Sequence, residues 1–351
     1  MNILVDITHP AHVHFFKHAI KAWNTRGHQV LITSRDKDLT LYLLDQYDIC
    51  HSMLSQARNG MFGLGLEMLE RGSRLWRIVR NERPAVLTGI GGTFIAPIGK
   101  VTGRPVVVFT DTEHAKVSNA ITFPLAKVIC TPACYEDQMR HKHETYAGYH
   151  ELAYLHPNRF QPDPSALQPF GVSAGEPYIV MRLVAWSSGH DFGDKGFTDL
   201  AAVIKILSHY GRVLISSERD LPETLEAYRI STSPEEMHHL LYYARLFVGE
   251  SATMASESAM LGTPAVFIST STRGYTNEQE SKYDLVYTFS DPINGQRQGL
   301  NKTLEILEDP EAKKKWRLKR ERMLAEMIDV TEFIVDVVER YGLEYQNEGR
   351  S

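Results

Sequence analysis

The stretch LFVGESATMASESAMLGTPAVFIS, residues 246–269, carries the signals that decide the predicted fold. Its first residues, 246–248, form a short apolar run of the kind found in buried strands. Small and hydroxylated residues follow, and Gly262-Thr263-Pro264 then leads into a second apolar run at 264–269. An apolar strand, a short helix and another apolar strand in this order predict a βαβ unit with parallel strands.

The start of this predicted helix has the chemistry of an anion site. A helix that begins near residues 251–253 directs its free N–H groups and the positive end of its dipole towards a phosphate beside it. The hydroxyls of Ser251 and Thr253 are placed to cap the helix or to bind a phosphate oxygen. Glu257, six residues after Ser251, is placed to accept hydrogen bonds from a diol such as a ribose. An ordinary N-cap at Ser251 and a solvated Glu257 are the alternative, and the residues alone leave both open.

Strand and helix signals alternate along most of the remaining chain, which predicts parallel sheets throughout. Apolar runs predict further strands at 2–7, 27–34, 85–93, 104–114, 126–132, 178–184 and 212–217. Helical spacing predicts helices at 61–84, 197–209, 233–246 and 254–261, and a long helical run at 310–341. The helix at 233–246 is expected to begin with a capping box made by Ser233 and Glu236.

Two domains are predicted from this pattern. A Rossmann-like domain at 1–155 and a second at 177–310 are joined by a proline-rich linker at 156–176, and a helical segment at 311–351 ends the chain. Ligands of open α/β sheets bind outside the carboxyl ends of the strands. The loops that follow the predicted strands are polar or rich in glycine. The two domains are therefore expected to turn these loops towards one central cleft.

Composition limits the class of protein. The chain has 351 residues, 43% hydrophobic and 23% charged, which is typical of a soluble globular protein of two domains. A net charge of −5 argues against nucleic acid as a partner. Three cysteines indicate a reducing compartment, so the expected location is cytoplasmic. The basic segment 313–322 is read as a solvated helix face, with contact at the inner face of the membrane as the alternative.

Residues 246–269 resemble the nucleotide-binding segment of the GT-B glycosyltransferases and of the related UDP-N-acetylglucosamine 2-epimerases. Those families combine a Ser or Gly at the helix start, a Glu six residues on, and Gly-x-Pro before the next strand. The resemblance implies that Ser251, Ala252 and Thr253 contact a nucleotide diphosphate and that Glu257 contacts its ribose. It also implies a GT-B fold, in which 177–310 binds the nucleotide sugar, 1–155 binds the acceptor, and the C-terminal helix returns to the first domain.

The N-terminal half adds to this resemblance. Residues 87–132 are similar to the region around the acceptor-side glycine-rich loop of the MurG-type transferases, where Gly91 and Gly92 allow close approach of a ligand to the backbone. Over both halves the chain is most similar to an uncharacterised prokaryotic family of GT-B-like proteins, filed as a domain of unknown function.

Three side chains of the N-terminal half are candidates for catalysis. His12, in THPAHVHFFKH at 8–18, matches the His of the Gly-Gly-His loop of the MurG type, although Pro10 and Ala11 replace the two glycines. A neutral imidazole there is suited to act as general base. Asp111 and Glu113, in TDTEH at 110–114, are candidates for acceptor binding or for the base. Two alternatives stay open, namely ordinary loop polarity at 110–114 and metal binding by the histidines of 8–18.

The loop after the predicted strand at 178–184 is a further candidate for diphosphate binding. The related families commonly carry an Arg or His in this loop, which implies such a role for Arg182 or His190, with Ser188 as an additional donor. A guanidinium binds phosphate through two parallel hydrogen bonds.

Together these features predict a glycosyltransferase of cell-surface polysaccharide or glycoconjugate synthesis. It would move a sugar from a nucleotide-diphosphate sugar, with UDP as the expected nucleotide, to a hydroxyl of a sugar or lipid-linked sugar. The helix at 251 would stabilise the departing diphosphate, so neither a metal nor a separate cofactor is expected. The alternatives are a UDP-N-acetylglucosamine 2-epimerase type of enzyme, with Asp111, Glu113 and Glu250 as its carboxylates, and a non-catalytic nucleotide-sugar-binding protein. Whether the chain forms a homodimer is left open.

Overall fold

A computed structural model describes residues 1–349 except 59, 114, 138, 140–141, 174, 185–196, 198 and 231–232. The chain forms two compact units. Unit 1 comprises Met1–Arg159 together with Ile328–Ser351, and unit 2 comprises Phe160–Met327.

Unit 1 is built on a seven-stranded sheet in which every neighbouring pair is parallel. Its strands are β1 (Asn2–Ile7), β2 (Gln29–Asp36), β3 (Ser52–Gln56), β4 (Val86–Ile90), β5 (Val106–Phe109), β6 (Val128–Pro132) and β7 (His143–Tyr146). They lie in the order β3-β2-β1-β4-β5-β6-β7. The central strands β1, β4 and β5 are almost entirely buried, which explains their continuous apolar sequences.

The helices of unit 1 follow the strands, and α1 to α5 form the crossover connections between them. They are α1 (Pro10–Thr25), α2 (Thr40–Gln46), α3 (Gly60–Glu82), α4 (Ile95–Thr102), α5 (Lys116–Thr122) and α6 (Leu152–Leu155). Helix α1 packs its apolar residues Phe15, Phe16, Ala19, Ile20 and Trp23 into the core.

Unit 2 contains a five-stranded parallel sheet in the order β12-β11-β10-β8-β9. Its strands are β8 (Tyr178–Leu183), β9 (Arg212–Ser217), β10 (Leu246–Gly249), β11 (Ala265–Ile268) and β12 (Val286–Phe289). Its helices are α7 (Leu200–Leu207), α8 (Met237–Tyr243), α9 (Ala252–Met260), α10 (Gly274–Ser281), α11 (Gly295–Glu308) and α12 (Ala312–Leu324), with 3-10 turns at Pro164–Phe170 and Glu223–Tyr228.

The long helical run expected at 310–341 is two helices. Helix α12 ends at Leu324 and belongs to unit 2, whereas α13 (Val330–Glu348) belongs to unit 1 and contacts α1. The break has a local cause, because the Asp329 carboxylate accepts a hydrogen bond from the Thr331 N–H and so starts a new helix. Within the described residues, no helix is both long and apolar enough to cross a membrane.

The capping box expected at Ser233 and Glu236 is wrong. Helix α8 starts only at Met237, and Glu236 occupies the N-cap position without a side-chain cap hydrogen bond. Residues 233–236 instead form a turn, in which the Ser233 carbonyl accepts from the Glu236 N–H at 3.0 Å. The turn uses the Glu236 N–H, which the Ser233 hydroxyl would have bound in the capping box.

Candidate functional site

The order of the strands in unit 2 indicates one place at the carboxyl ends of its sheet where a ligand is expected to bind. The chain runs from β8 to β9 on one side of the sheet, and then crosses to β10 on the other side of β8. Ligands of doubly wound sheets bind where such a reversal separates the loops that follow two neighbouring strands. In unit 2 this place is the carboxyl ends of β8 and β10, next to Val184 and Ser251.

Helix α9 begins at this position. Ser251 is its N-cap, and its Oγ accepts a hydrogen bond from the Met254 N–H at 3.3 Å. Ala252 is half-buried and Thr253 is exposed, so small side chains surround the helix N-terminus. The preceding Gly249 is required by packing, because a Cβ there would lie 2.6 Å from the Arg182 carbonyl oxygen of β8. These are the residues predicted to contact a diphosphate.

Glu257 lies six residues, about 1.7 helical turns, after Ser251 and is not a solvated residue. Only 6% of it is exposed, and its Oε1 is 3.0 Å from Nε2 of His238 in α8. His238 is itself buried, so the pair fixes the orientation of the carboxylate. The alternative of an ordinary surface glutamate is therefore wrong for Glu257.

Arg182 lies at the end of β8 and its guanidinium is bound within the protein. It donates from Nη1 to Ser216 Oγ at 2.6 Å and from Nη2 to the Glu218 carboxylate. Ser188 and His190, the other two candidates of this loop, lie outside the described residues. Arg219, which follows β9, is a second cation at this end of the sheet that sequence reasoning did not single out.

Glu250 joins the segments on both sides of residues 185–196. The residue is 3% exposed, and its carboxylate accepts from the Val184 N–H at 2.9 Å and from the Phe197 N–H at 2.8 Å. Arg219 Nη2 donates to the same carboxylate at 3.1 Å. Burial raises the pKa of Glu250, while these three donors act in the opposite direction. Its charge is therefore compensated inside the protein, although it stands directly before the helix start.

Unit 1 has an equivalent position between β1 and β4. The chain moves from β1 outwards to β2 and β3, and then returns to β4 on the other side of β1. Residues 8–12 follow β1, and Gly91 and Gly92 follow β4 with φ of 72° and 67°. At Gly92 a Cβ would approach Val108 Cγ2 to 2.7 Å, so the core of unit 1 requires this glycine. Beside Gly91 the nearest atom to such a Cβ is Ser118 Oγ at 3.8 Å, an ordinary van der Waals distance.

His12, at the start of α1, has a defined tautomer. Its Nδ1 accepts a hydrogen bond from the Thr8 N–H at 3.3 Å. The neutral ring therefore carries its proton on Nε2. Burial, with neighbouring positive groups, lowers the pKa of His12 well below its usual value, which keeps the ring neutral.

Asp111 is paired with a histidine that sequence reasoning missed. The Oδ2 atom of Asp111, just after β5, lies 3.2 Å from Nδ1 of His150, which stands in the connection between β7 and α6. His150 is 8% exposed and its ring packs against those of Phe15 and Tyr146. Glu113 lies further along the same loop, and its Oε1 accepts from the Glu136 N–H at 3.2 Å.

Several polar atoms around Asp111 are buried without a hydrogen-bond partner among the described residues. They are His150 Nε2, Tyr135 Oη, Tyr146 Oη and Asn119 Oδ1. Burial raises the pKa of both tyrosines, and the Asp111 charge adds to this. Buried polar groups without partners are rare in folded proteins and call for a specific explanation. An oxygen-rich ligand would supply the missing partners.

The alternative of metal binding by the histidines of 8–18 finds no support in the geometry. Over the described ranges, no three His, Cys, Asp or Glu side chains are grouped as metal ligands would be. His14 packs its ring against those of Tyr47 and Tyr154 within the core.

The fold is GT-B-like. The structure of UDP-GlcNAc 2-epimerase from Neisseria meningitidis bound to UDP-GlcNAc superposes with a TM-score of 0.71 at 11% identity, over 97% of this chain and 100% of that one. Acinetobacter baumannii MurG gives 0.58 at 14% identity, over 97% and 100% of the two chains. The spinosyn rhamnosyltransferase SpnG complexed with thymidine diphosphate gives 0.64 at 14% identity, over 96% and 100%. The predicted α/β class and the resemblance to transferases and epimerases are confirmed.

Within this fold class, the chain belongs to the family described as Protein of unknown function (DUF354), whose model matches residues 1–342. The uncharacterized protein MJ0665 of Methanocaldococcus jannaschii is 26% identical over 281 residues, which cover 76% of this chain and 81% of the relative. The prediction of an uncharacterised GT-B-like family is therefore confirmed.

Proposed function

We propose that the protein is a glycosyltransferase that uses a nucleotide-diphosphate sugar, with UDP as the nucleotide, and transfers the sugar to a hydroxyl group. The observation that carries this proposal is the N-terminus of α9 at the strand reversal of unit 2, which is capped by Ser251 and begins with the small residues Ala252 and Thr253. Solved proteins of the same fold are bound to UDP-GlcNAc and to thymidine diphosphate, which supports the class of ligand.

The chemistry of this helix start suits a departing diphosphate. When the bond between sugar and nucleotide breaks, negative charge develops on the diphosphate oxygen. The N–H groups of Ala252 and Thr253 and the dipole of α9 are fixed in place before the reaction and so stabilise that charge. Arg219 adds a cation nearby and balances Glu250, so the carboxylate at the helix start does not repel the phosphates.

In this proposal Glu257 binds the ribose diol, and His238 holds its carboxylate in one orientation. Hydrogen bonds from neutral groups to a charged carboxylate contribute about 1.5–3 kcal/mol each. Replacing the carboxylate therefore costs roughly ten- to a hundredfold in nucleotide affinity.

A 2-epimerase is the second candidate. Elimination and re-addition of the nucleotide needs acid and base groups beside the sugar. Burial has the largest effect in raising the pKa of the half-buried Tyr135, whose hydroxyl is buried, and Asp137, Glu113 and Asp111 add to it in that order. Asp111 and Glu113 both follow β5. Carboxylates and a buried phenol grouped in this way favour the epimerase as the alternative chemistry.

The proposal is tested by calorimetric titration of the protein with UDP and with thymidine diphosphate, followed by incubation with UDP-sugars. We expect UDP to bind, Glu257→Gln to weaken it by the factor given above, and Glu223→Gln, on the exposed surface of unit 2, to leave it unchanged. Slow release of UDP from one UDP-sugar without acceptor supports a transferase. Appearance of the C2 epimer by proton NMR assigns the epimerase instead, and lack of binding to every nucleotide contradicts both.

A further inference from the structure

Helix α3 of unit 1 exposes a row of large apolar side chains to solvent. Phe62 is 82% exposed and Leu69 is 75% exposed, and Leu66 and Trp76 are exposed to 42% and 40%. Among the described residues, every other helix carries at most one exposed large apolar side chain. Single exposed apolar residues are ordinary on a protein surface, whereas a contiguous group of them marks a surface that binds a partner.

These four side chains form one apolar stripe along α3. They follow one another at intervals of four, three and seven residues, so at 3.6 residues per turn they lie within about 80° of the helix circumference. The opposite face of α3 is packed on unit 1 through the core residues Leu75 and Val79 and the buried Arg71. The apolar stripe is therefore displayed by a helix whose other face holds it in place.

Arginines accompany the apolar stripe. Residues 58–83 contain six arginines and three glutamates, a net charge of +3 in a chain whose net charge is −5. Arg77 and Arg80 are exposed, and the Arg80 guanidinium lies over the Trp76 ring, 5.1 Å from its centroid. Apolar and aromatic side chains on one helix face, with cations beside them, are typical of helices that lie in the interface of an anionic membrane.

We infer that the apolar stripe of α3 docks the protein on the surface of an anionic lipid bilayer; this inference does not depend on the proposed transferase. In the docked state Phe62 and Leu69 lie at the boundary of the acyl chains, and Trp76 lies at the level of the headgroups. Arg77 and Arg80 contact the lipid phosphates through their charged ends. Docking uses the exposed face alone, so it leaves the core of unit 1 intact.

The basic segment 313–322 of α12 is less suited to this role. Lys313 Nζ donates to the Tyr242 carbonyl at 2.6 Å, so this cation is bound within unit 2. Trp316 is buried, and over the whole of α12, which the structure describes, Leu318 is the one large apolar side chain that is exposed. Membrane contact through this segment is therefore the weaker alternative, and its residues provide the controls.

The first test is co-sedimentation of the full chain with lipid vesicles. One set of vesicles is phosphatidylcholine alone, and the other contains about one third phosphatidylglycerol, which supplies negative charge. We expect clear binding to the anionic vesicles and much weaker binding to the neutral ones. Added salt should weaken binding to the anionic vesicles, because it screens the attraction between the arginines and the lipid phosphates.

Substitutions in the apolar stripe test its position. Phe62→Ser combined with Leu69→Ser should lower partitioning into anionic vesicles at least about tenfold, since burial of one such side chain is worth about ten- to a hundredfold. Arg77→Gln combined with Arg80→Gln should lower it about fivefold for each charge removed. All four side chains are exposed, so equal urea midpoints and circular dichroism spectra should show that both variants are folded.

The matched controls lie on α12. Leu318→Ser removes an exposed apolar side chain, and Lys314→Gln combined with Lys315→Gln removes two exposed charges. Both variants should bind anionic vesicles as the wild type does. Loss of binding in these variants, with full binding by Phe62→Ser combined with Leu69→Ser, would place the membrane contact on α12 and overturn the inference.

Tryptophan fluorescence tests the depth of docking independently. Addition of anionic vesicles should shift the emission of the wild type to shorter wavelength, because the exposed Trp76 moves from water to the headgroup region. The shift should be absent in Trp76→Phe, which should still sediment with the vesicles. A shift that persists in Trp76→Phe would contradict docking through α3.

Absence of binding to the anionic vesicles overturns the inference outright. If light scattering then shows a dimer that Phe62→Ser combined with Leu69→Ser dissociates, the apolar stripe is instead an interface between two copies of this chain. Either outcome leaves nucleotide binding by unit 2 untouched, so this inference and the proposed transferase fail by separate observations.

Discussion

A buried ion pair supports the carboxyl end of β1, from which the loop at residues 8–12 departs. Arg71 of α3 is 0% exposed and Asp6 is 4% exposed. The guanidinium donates from Nη2 to Asp6, and from Nη1 to the Ser34 carbonyl at 2.7 Å and to Ser55 Oγ at 3.1 Å. Charges this deeply buried are tolerated only when they are paired and hydrogen-bonded.

Asp6→Ala should therefore destabilise the protein strongly, because it leaves the Arg71 charge buried without its counter-ion. Loss of one partner of a buried pair costs about 3–5 kcal/mol. Glu70→Ala is the matched control, since this residue of the same helix has only partly exposed ion pairs, worth about 0–1 kcal/mol each. Urea unfolding followed by circular dichroism measures both. Equal effects of the two substitutions would contradict the importance of the buried pair.

At the scale of elements, Glu250 connects β10 with the segments that flank residues 185–196. Glu250→Ala removes the acceptors of the Val184 and Phe197 N–H groups, each bound to a charged carboxylate. Such a bond contributes about 1.5–3 kcal/mol, which corresponds to roughly ten- to a hundredfold faster amide hydrogen exchange. Hydrogen exchange with mass spectrometry should show this increase in peptides containing Val184 or Phe197.

The control for this prediction is Glu218→Ala. It breaks the ion pair with Arg182 at the neighbouring strand end, where the carboxylate is about half exposed. Exchange at Val184 and Phe197 should remain as in the wild type. Unchanged exchange in Glu250→Ala would show that other contacts hold these two segments.

How well each element could be predicted depends on its burial. The central strands β1, β4, β5, β8 and β10 are buried on both faces and read as apolar runs, so the sequence predicts them. The strands β3, β7 and β12 at the sheet edges were not predicted, because they are short and partly exposed, and β3 and β7 carry no apolar run. The returning helix α13 was predicted, but the break before it depends on one cap at Asp329.

The residues of the candidate site also differ in how well the sequence predicts their contacts. Ser251 and Glu257 are close in sequence on one helix, so their spacing could be interpreted directly. The partner of Asp111 could not, since His150 lies on another connection and reaches Asp111 only through the packing of β5 and β7 around β6. Likewise the compensation of the Glu250 charge could not be predicted, because Arg219 and the two N–H donors are brought to it only by the fold.

For the whole molecule, stability should fall in mild acid because of the histidines of unit 1. Burial lowers the pKa of His9 and of His18 to about 4, and it also lowers those of His12, His143 and His150. The unfolded chain binds protons on these rings near pH 6.5, whereas the folded protein does not. Their contribution is therefore intact above pH 6.5 and is lost progressively as the pH falls towards 4.

Each such histidine lowers the free energy of unfolding by at most about 1.4 kcal/mol per pH unit over this interval, and His9 by less, because its side chain is 45% exposed and screened by solvent. Because all five belong to unit 1, unit 1 should unfold at a lower urea concentration than unit 2 at pH 5, and the two transitions should approach each other at pH 7.5. Tryptophan fluorescence at both pH values can follow the two transitions, since Trp23 and Trp76 lie in unit 1 and Trp316 lies in unit 2.

His18→Gln should reduce the loss of stability between pH 6.5 and 4. The control is His209→Gln, just after the end of α7, which should leave this loss unchanged. A urea midpoint for unit 1 that stays constant from pH 7.5 to pH 5 would mean that these rings are charged in the folded protein, which would also remove the basis for a neutral His12 and His150.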